Sequence, residues 1–266
     1  MTGCWDEVGE RVFRRRYDSF DLNVGVVLGG DAAMVIDTRA SAREGRELLA
    51  EVRALTSLPV RHVVNTHFHF DHCFGNEVFA SSAIWAHRRC AEQLRNTGAA
   101  ERAAVVDWLT DRAEEMSEVA ITPADHLIDT AALVDVGGRS VELRHLGPGH
   151  TDHDLVVRVP DAGVLFAGDL LEEGMPPSFG DAWPQDWCTA LVRLVEIAPP
   201  VVVPGHGDLV GPDFAHRRRQ ELMGLLDLFT QVEEGRMTRA EVVARSPYPQ
   251  DHTLAALYRF SVTRRA

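Results

Sequence analysis

Residues 65–76 read Asn-Thr-His-Phe-His-Phe-Asp-His-Cys-Phe-Gly-Asn, so His67, His69, Asp71 and His72 fall within six positions just after the strand-type run Val60-Arg-His-Val-Val64. Imidazole nitrogens and carboxylate oxygens are ligands for divalent cations of borderline hardness. At an extended strand end, side chains two apart point the same way. His67 and His69 can therefore reach one ion, while Asp71 and His72, beyond the bend, reach a second. Four ligand-type side chains in six positions are hard to account for as ordinary surface residues.

Other chemistries lack their parts. All 27 basic residues are arginine, and an absent lysine removes the Walker-type phosphate loop, Schiff-base catalysis and the Ser-x-x-Lys nucleophile. The chain carries neither a Gly-x-Ser-x-Gly elbow nor a Gly-x-Gly-x-x-Gly fingerprint. A net charge of −13 opposes phosphate backbones and anionic bilayers, so neither nucleic acid nor a membrane is an expected partner. No apolar run approaches the length of a membrane span, and the first sixteen residues, with Arg14, Arg15 and Arg16, lack the apolar core of a signal peptide. With Cys4, Cys73, Cys90 and Cys188 scattered, the expectation is a cytoplasmic protein without disulfides.

The elements that must position these ligands can be read from periodicity. Short β-type runs at 8–13, 22–28 and 33–36 surround a Gly29-Gly30-Asp31 turn. Ser41-Ala-Arg-Glu44 has the form of a capping box, and Leu48, Leu49, Val52 and Leu55 share a stripe, so 41–56 reads as a helix. The run 60–65 is a strand leading into the histidines, and 83–86 another. Residues 88–118 are strong helix formers, broken near Gly98, and stand out as a helical insertion. Strands return at 133–136, 141–146, 155–159 and 164–167, followed by a helix at 186–198 and a strand at 201–203. The tail from 213 reads as helices, with Leu222, Leu225, Leu226 and Phe229 on one face. Two sheet-forming halves, each with helices, suggest two central sheets with helices outside.

His-x-His-x-Asp-His after a strand resembles the signature of the metallo-β-lactamase superfamily, and the other segments of that pattern follow in order: Leu146-Gly-Pro-Gly-His150-Thr151, Leu165-Phe-Ala-Gly-Asp169 and Val203-Pro-Gly-His206-Gly. The resemblance implies an α+β fold, a four-layer αββα sandwich with a helical insertion and C-terminal helices. It implies a catalytic domain over 1–212, including the insertion 88–118, and a helical extension 213–266 packed on it. It further implies that His67, His69 and His150 hold one metal, that Asp71, His72 and His206 hold a second, and that Asp169 bridges them. This set resembles that of hydroxyacylglutathione hydrolases, whereas the B1 β-lactamases have a cysteine at the position of Asp169. The stretch His150-Thr-Asp-His-Asp154 also resembles the His-Thr-x-Gly-Asp form of the quinoprotein-relay hydrolases, with His153 in place of the glycine.

Two divalent ions, zinc ahead of iron or manganese, would share a water and lower its pKa toward about 7, supplying a hydroxide that Asp71 orients or deprotonates. The expected activity is hydrolysis of a small ester, thioester or lactone. β-Lactam or phosphodiester cleavage on the same site is the alternative, and a mononuclear iron persulfide dioxygenase or a metal-free scaffold the non-hydrolase reading. A tail without the basic pattern that holds glutathione disfavours glutathione thioesters. Around the ligands, Asp37 is expected to brace the loop 67–72, with Thr66, Thr151 and Asp154 as further supports. Gly168, Gly205 and Gly207 give the backbone close approach. The segment 172–187 follows Asp169 and offers Met175, Phe179 and Trp183 as an apolar substrate wall; the insertion 88–118 is the other candidate, as a lid or a dimer surface. A homodimer is left open. His62, His87, His126, His145, His216 and His252 lack ligand spacing, and Cys73 reads as a buried thiol.

Overall fold

The computed structural model describes residues 4–263, so the expected segments 1–212 and 213–266 begin and end outside the described residues. In chain order the first half comprises β1 (Asp6–Gly9), β2 (Val12–Arg16), β3 (Asn23–Leu28), β4 (Ala33–Ile36), α1 (Ala42–Leu55), β5 (Val60–Val64), α2 (Phe70–Cys73), β6 (Ala83–His87), α3 (Arg88–Trp108), α4 (Ala113–Ser117) and β7 (His126–Ile128). The second half comprises β8 (Ala131–Val136), β9 (Arg139–His145), β10 (Leu155–Val159), β11 (Val164–Glu172), α5 (Pro184–Ile197), β12 (Val201–His206), α6 (Pro212–Glu233), α7 (Arg239–Arg245) and α8 (Gln250–Thr263). Strands β1 to β7 form a seven-stranded sheet in sequence order, and a five-stranded sheet runs β12-β11-β10-β9-β8.

Strand alternation explains the layering. In β4, Met34 and Ile36 enter the core between the two sheets, while Ala33 and Val35 face the opposite way, against α1 and α3 through Leu48, Val52 and Ala91. In β11, Val164 and Phe166 meet the first sheet, whereas Leu165 and Ala167 join Trp187 and Leu191 of α5. Both sheets are covered on both faces, and the fold is an αββα sandwich. Leu222, Leu225 and Phe229 of α6, Val242 of α7 and Ala256, Leu257 and Phe260 of α8 enter that same outer core.

The structure departs from the sequence pattern in three places. The run 8–13 is not one strand: β1 and β2 turn on each other, with Arg11 at φ 55°. Helix α3 continues unbroken through Gly98, where a Cβ would lie 2.8 Å from Ile121 Cγ2, so the glycine serves close packing rather than a break. Ser41 caps α1 by accepting from the Glu44 amide at 3.2 Å, but the Glu44 carboxylate closes onto the Ala40 amide and Arg112 instead of completing the box.

Strands β4 to β7 are parallel, as are β11 and β12. Asp37 and the 65–72 loop follow the carboxyl ends of β4 and β5, His206 ends β12, and Asp169 lies in the C-terminal half of β11. Clefts form at such ends because the crossover chain leaves each strand there in a different direction. No helix among the described residues is long and apolar enough to cross a membrane.

Candidate metal centre

The ligand loop is closed at both ends by its own sequence. Asn65 and Asn76 exchange amide hydrogen bonds of 3.0 and 2.8 Å, and Thr38 donates to Asn76 Oδ1 at 2.9 Å. All three side chains are buried, so the bonds are isolated from water and fix the entry and exit of the His-x-His-x-Asp-His segment. Reaching across to the other sheet, Asn23 of β3 donates to the Pro204 and Gly207 carbonyls at 3.0 and 2.9 Å, holding the end of β12 and with it His206.

The candidate ligand atoms gather in two groups, His67, His69, His150 and Asp169 in one and Asp71, His72 and His206 in the other, each within 4.8 Å. In the first, His69 Nδ1 stands 3.0 Å from His67 Nε2 and 2.9 Å from His150 Nε2. In the second, Asp71 Oδ2 lies 3.7 Å from His72 Nε2 and 3.6 Å from His206 Nε2. The Asp169 carboxylate stands between them. Its Oδ2 is 3.7 Å from His67 Nε2, 3.6 Å from His150 Nε2 and 3.2 Å from His206 Nε2, and its Oδ1 is 3.3 Å from His72 Nε2. Gly205 permits this, since a Cβ there would fall 1.8 Å from Asp169 Oδ1.

Hydrogen bonds at the far ring nitrogens set the tautomers. Asp37 Oδ2 accepts from His72 Nδ1 and from the Thr66 hydroxyl, each at 2.8 Å, while Oδ1 accepts from the Thr66 amide at 2.8 Å. The Thr66 oxygen in turn lies 3.1 Å from His67 Nδ1. One buried carboxylate thus turns the Nε2 lone pairs of both histidines toward the centre. Asp37 sits at φ 64°, a left-handed conformation unusual for a side chain with a Cβ, retained at this site. His206 Nδ1 donates to the Phe20 carbonyl at 2.7 Å, and His69 Nε2 to Asp181 Oδ2 at 3.0 Å.

These groups fit divalent ions. Asp71, Asp169 and Asp37 are buried together, and no arginine among the described residues is paired to them, a costly arrangement unless positive charge is supplied. In the protein alone, only histidine protons supply it. Against desolvation, the neighbouring carboxylates Asp169 and Asp71 hold His72 well above its ordinary value and push His206 up to about 10. Burial dominates at His67, which is held well below, and at His150, pushed down to about 3. Their unprotonated nitrogens are then available as ligands. Asp169 Oδ1 is itself buried without a hydrogen-bond partner. Imidazoles, carboxylates and an unsatisfied bridging oxygen form a donor set suited to two borderline cations.

The remaining expected site residues divide. Asp37 and Thr66 touch the ligands as described. Thr151 and Asp154 bond each other instead: Asp154 accepts from the Thr151 amide at 2.9 Å and hydroxyl at 2.7 Å, closing the turn that carries His150, whose Nδ1 has no partner. Burial pushes the Asp154 carboxyl up to about 7. His153 packs against Phe68 with ring centroids 5.3 Å apart and stays out of both groups. The Cys73 thiol donates to the Phe68 carbonyl at 2.9 Å and is held protonated by burial.

The cleft over the ligands has a volume of about 690 Å³, and its apolar lining is Phe20, Phe70, Ala104, Val105, Trp108 and Met175. Of the three side chains expected from the 172–187 segment, Met175 lines it. Phe179 does not: it is buried against Trp187 and Tyr248, at 5.8 Å from each ring, in a layer behind His150. Trp183 lies outside the lining as well, at the entrance to α5, where its amide bonds the Gly149 carbonyl. The wall comes instead from α3 and the 18–21 turn, so the 88–118 segment contributes after all. Glu172 also lines the cleft, and burial together with repulsion from Asp169 pushes it up to about 8. Sequence reasoning missed Phe20, Trp108 and Asp181. The last has a legible neighbour, Arg259 of α8, which binds the Asp181 and Ala182 carbonyls at 2.9 and 2.8 Å, but nothing local in the sequence pairs them.

Comparison with known proteins gives a consistent frame. A family model described as the metallo-beta-lactamase superfamily matches residues 19–206. The chain is 28% identical over 237 residues to the acyl-coenzyme A thioesterase MBLAC2 of Bos taurus, covering 77% of this chain and 81% of that protein. It is 24% identical to the type 2 metallo-beta-lactamase of Bacillus cereus, covering 70% and 67%. Among solved structures, the metallo-beta-lactamase from Pontibacter korlensis superposes with a TM-score of 0.67 at 21% identity over 84% of this chain and 99% of that one.

Proposed function

The chain belongs to the metallo-β-lactamase superfamily, and on that premise we propose that it is a dinuclear metal-dependent hydrolase of a small thioester, ester or lactone. One observation carries the reading: two ligand groups, His67, His69 and His150 on one side and Asp71, His72 and His206 on the other, share the carboxylate of Asp169. We assign the first group to one divalent ion and the second to another, zinc before iron or manganese. Bound there, such ions supply Lewis acidity and an activated water at neutral pH.

The protein's own residues do the rest. Asp71 lines the cleft, and its carboxylate is the group we assign to orient the attacking water and take its proton. Asp37 and Asp181 keep the ligand rings from turning away. Ala104, Val105 and Met175 receive the apolar part of the substrate, each well-buried group contributing roughly 1–3 kcal/mol. An apolar wall of this kind suits an acyl chain, and the acyl-coenzyme A thioesterase named among the relatives supports a thioester over a phosphodiester.

A panel of matched substrates tests this. With the metal-loaded protein, an acyl thioester or oxygen ester should be hydrolysed with a kcat/KM at least about tenfold above a β-lactam and a phosphodiester. Preferential cleavage of the phosphodiester, or no turnover of any acyl substrate, would overturn the assignment.

A further inference from the structure

The walls of the cleft carry a charge pattern that the hydrolase reading leaves unused. Glu101, Ala104, Val105 and Trp108 are spaced i, i+3, i+4 and i+7 on α3, so one stripe of that helix faces the site. Trp108 is 64% exposed, an expensive placement for a large ring. It stands 5.9 Å from Phe70 at an interplanar angle of 86° and 6.3 Å from Phe20, and Phe20 meets Phe70 edge to face at 5.0 Å. Phe20 is fixed there at φ 62°, in a turn tied down by its carbonyl bond to His206.

The carboxyl groups of Asp18 and Glu101 line the same cleft; neither is paired with an arginine among the described residues, and Glu101 is attracted by His69. Asp21 also lines it but is engaged by Arg16 at 2.8 Å. No arginine lines the cleft among the described residues. Arg112 stands 5.6 Å from the Phe20 ring and is held by Glu44 at 2.7 Å and Glu115 at 2.9 Å. A site built for phosphates presents guanidinium or ammonium groups; this one is lined by aromatic rings and by the carboxyl groups of Asp18 and Glu101.

We propose that Phe20, Phe70 and Trp108, with Glu101 and Asp18 beside them, form a subsite for a cationic group of the substrate, quaternary or primary ammonium, and that the cleft turns away polyanionic leaving groups. Ring faces attract a cation electrostatically, and the carboxylates add to that attraction while repelling phosphates. The proposal rests on the hydrolase reading for the identity of the reaction, not for the existence of the subsite. It separates this chain from its thioesterase relatives at the leaving group, since coenzyme A carries several phosphate charges.

Two experiments on the metal-loaded protein test it. In calorimetry, choline should bind about tenfold more tightly than its uncharged isostere 3,3-dimethylbutanol, with the difference lost in Trp108→Ala and in the isosteric Glu101→Gln. In turnover, an acylthiocholine should exceed the acyl-coenzyme A of the same acyl chain in kcat/KM by about a hundredfold at low ionic strength, a gap that narrows with added salt and in Glu101→Gln. Equal binding of choline and its isostere, or acyl-coenzyme A as the better substrate, would overturn the subsite. Selective choline binding without hydrolysis of any thioester would uphold it and count against the hydrolase reading alone.

Discussion

An Asp169→Asn variant is expected to lose hydrolysis by about a thousandfold or more and to hold its ions weakly. The reason lies in the position of the carboxylate. Its two oxygens face four imidazole nitrogens, from His67, His72, His150 and His206, at 3.2–3.7 Å, so it is the one side chain both ligand groups share. An amide keeps the shape but removes the charge and turns an NH₂ donor toward part of that set. Metal content after gel filtration, read beside kcat/KM, checks the result. A variant that retains two ions and turns over within tenfold of the parent would show that Asp169 is not the shared ligand.

The second large effect is expected at a residue that reaches no ion. Asp37→Ala should weaken metal affinity about 10–100-fold and lower stability by a few kcal/mol, about 1–3 kcal/mol for each buried donor left without an acceptor. Those donors are His72 Nδ1 and the Thr66 amide and hydroxyl, and Thr66 carries the constraint on to His67. Competition with a chelator and thermal unfolding measure the two terms separately. Asp37→Asn should fall between parent and alanine, because its amide can satisfy one donor but opposes another. If Asp37→Ala binds metal as tightly as the parent, the orientation of His72 is set elsewhere.

The contrast between these residues and the cleft walls shows what sequence spacing can carry. His67, His69, Asp71 and His72 are adjacent in the chain, and the strand geometry that brings them together is local, so their chemistry is legible directly. His150, Asp169 and His206 lie far apart, and only a resemblance links them; the pairing of sheet ends that assembles them is a tertiary event. Asp37 was legible because it ends an apolar strand with a charge. Phe179 and Trp183 look the same in sequence as wall residues and as core residues. Burial decides between these, and burial depends on α5 and the C-terminal helices packing over that segment. Phe20 reaches the cleft only through a left-handed turn pinned by His206, and Trp108 through the end of a helix that runs straight past Gly98. Asp181 reaches His69 because α8 holds the backbone beside it. Phe20 and Asp181 have no periodic signature, and the stripe of α3 that carries Trp108 does not itself say which surface it faces.

The central claim, a two-ion hydrolytic centre, is tested most directly by titrating zinc into chelated, metal-free protein while following both bound metal by mass spectrometry and hydrolysis of a thioester. Two ligand groups sharing Asp169 predict that binding saturates at two ions per chain and that full hydrolysis returns only with the second. Saturation at a single ion with full activity, or hydrolysis undiminished in the metal-free protein, would contradict it.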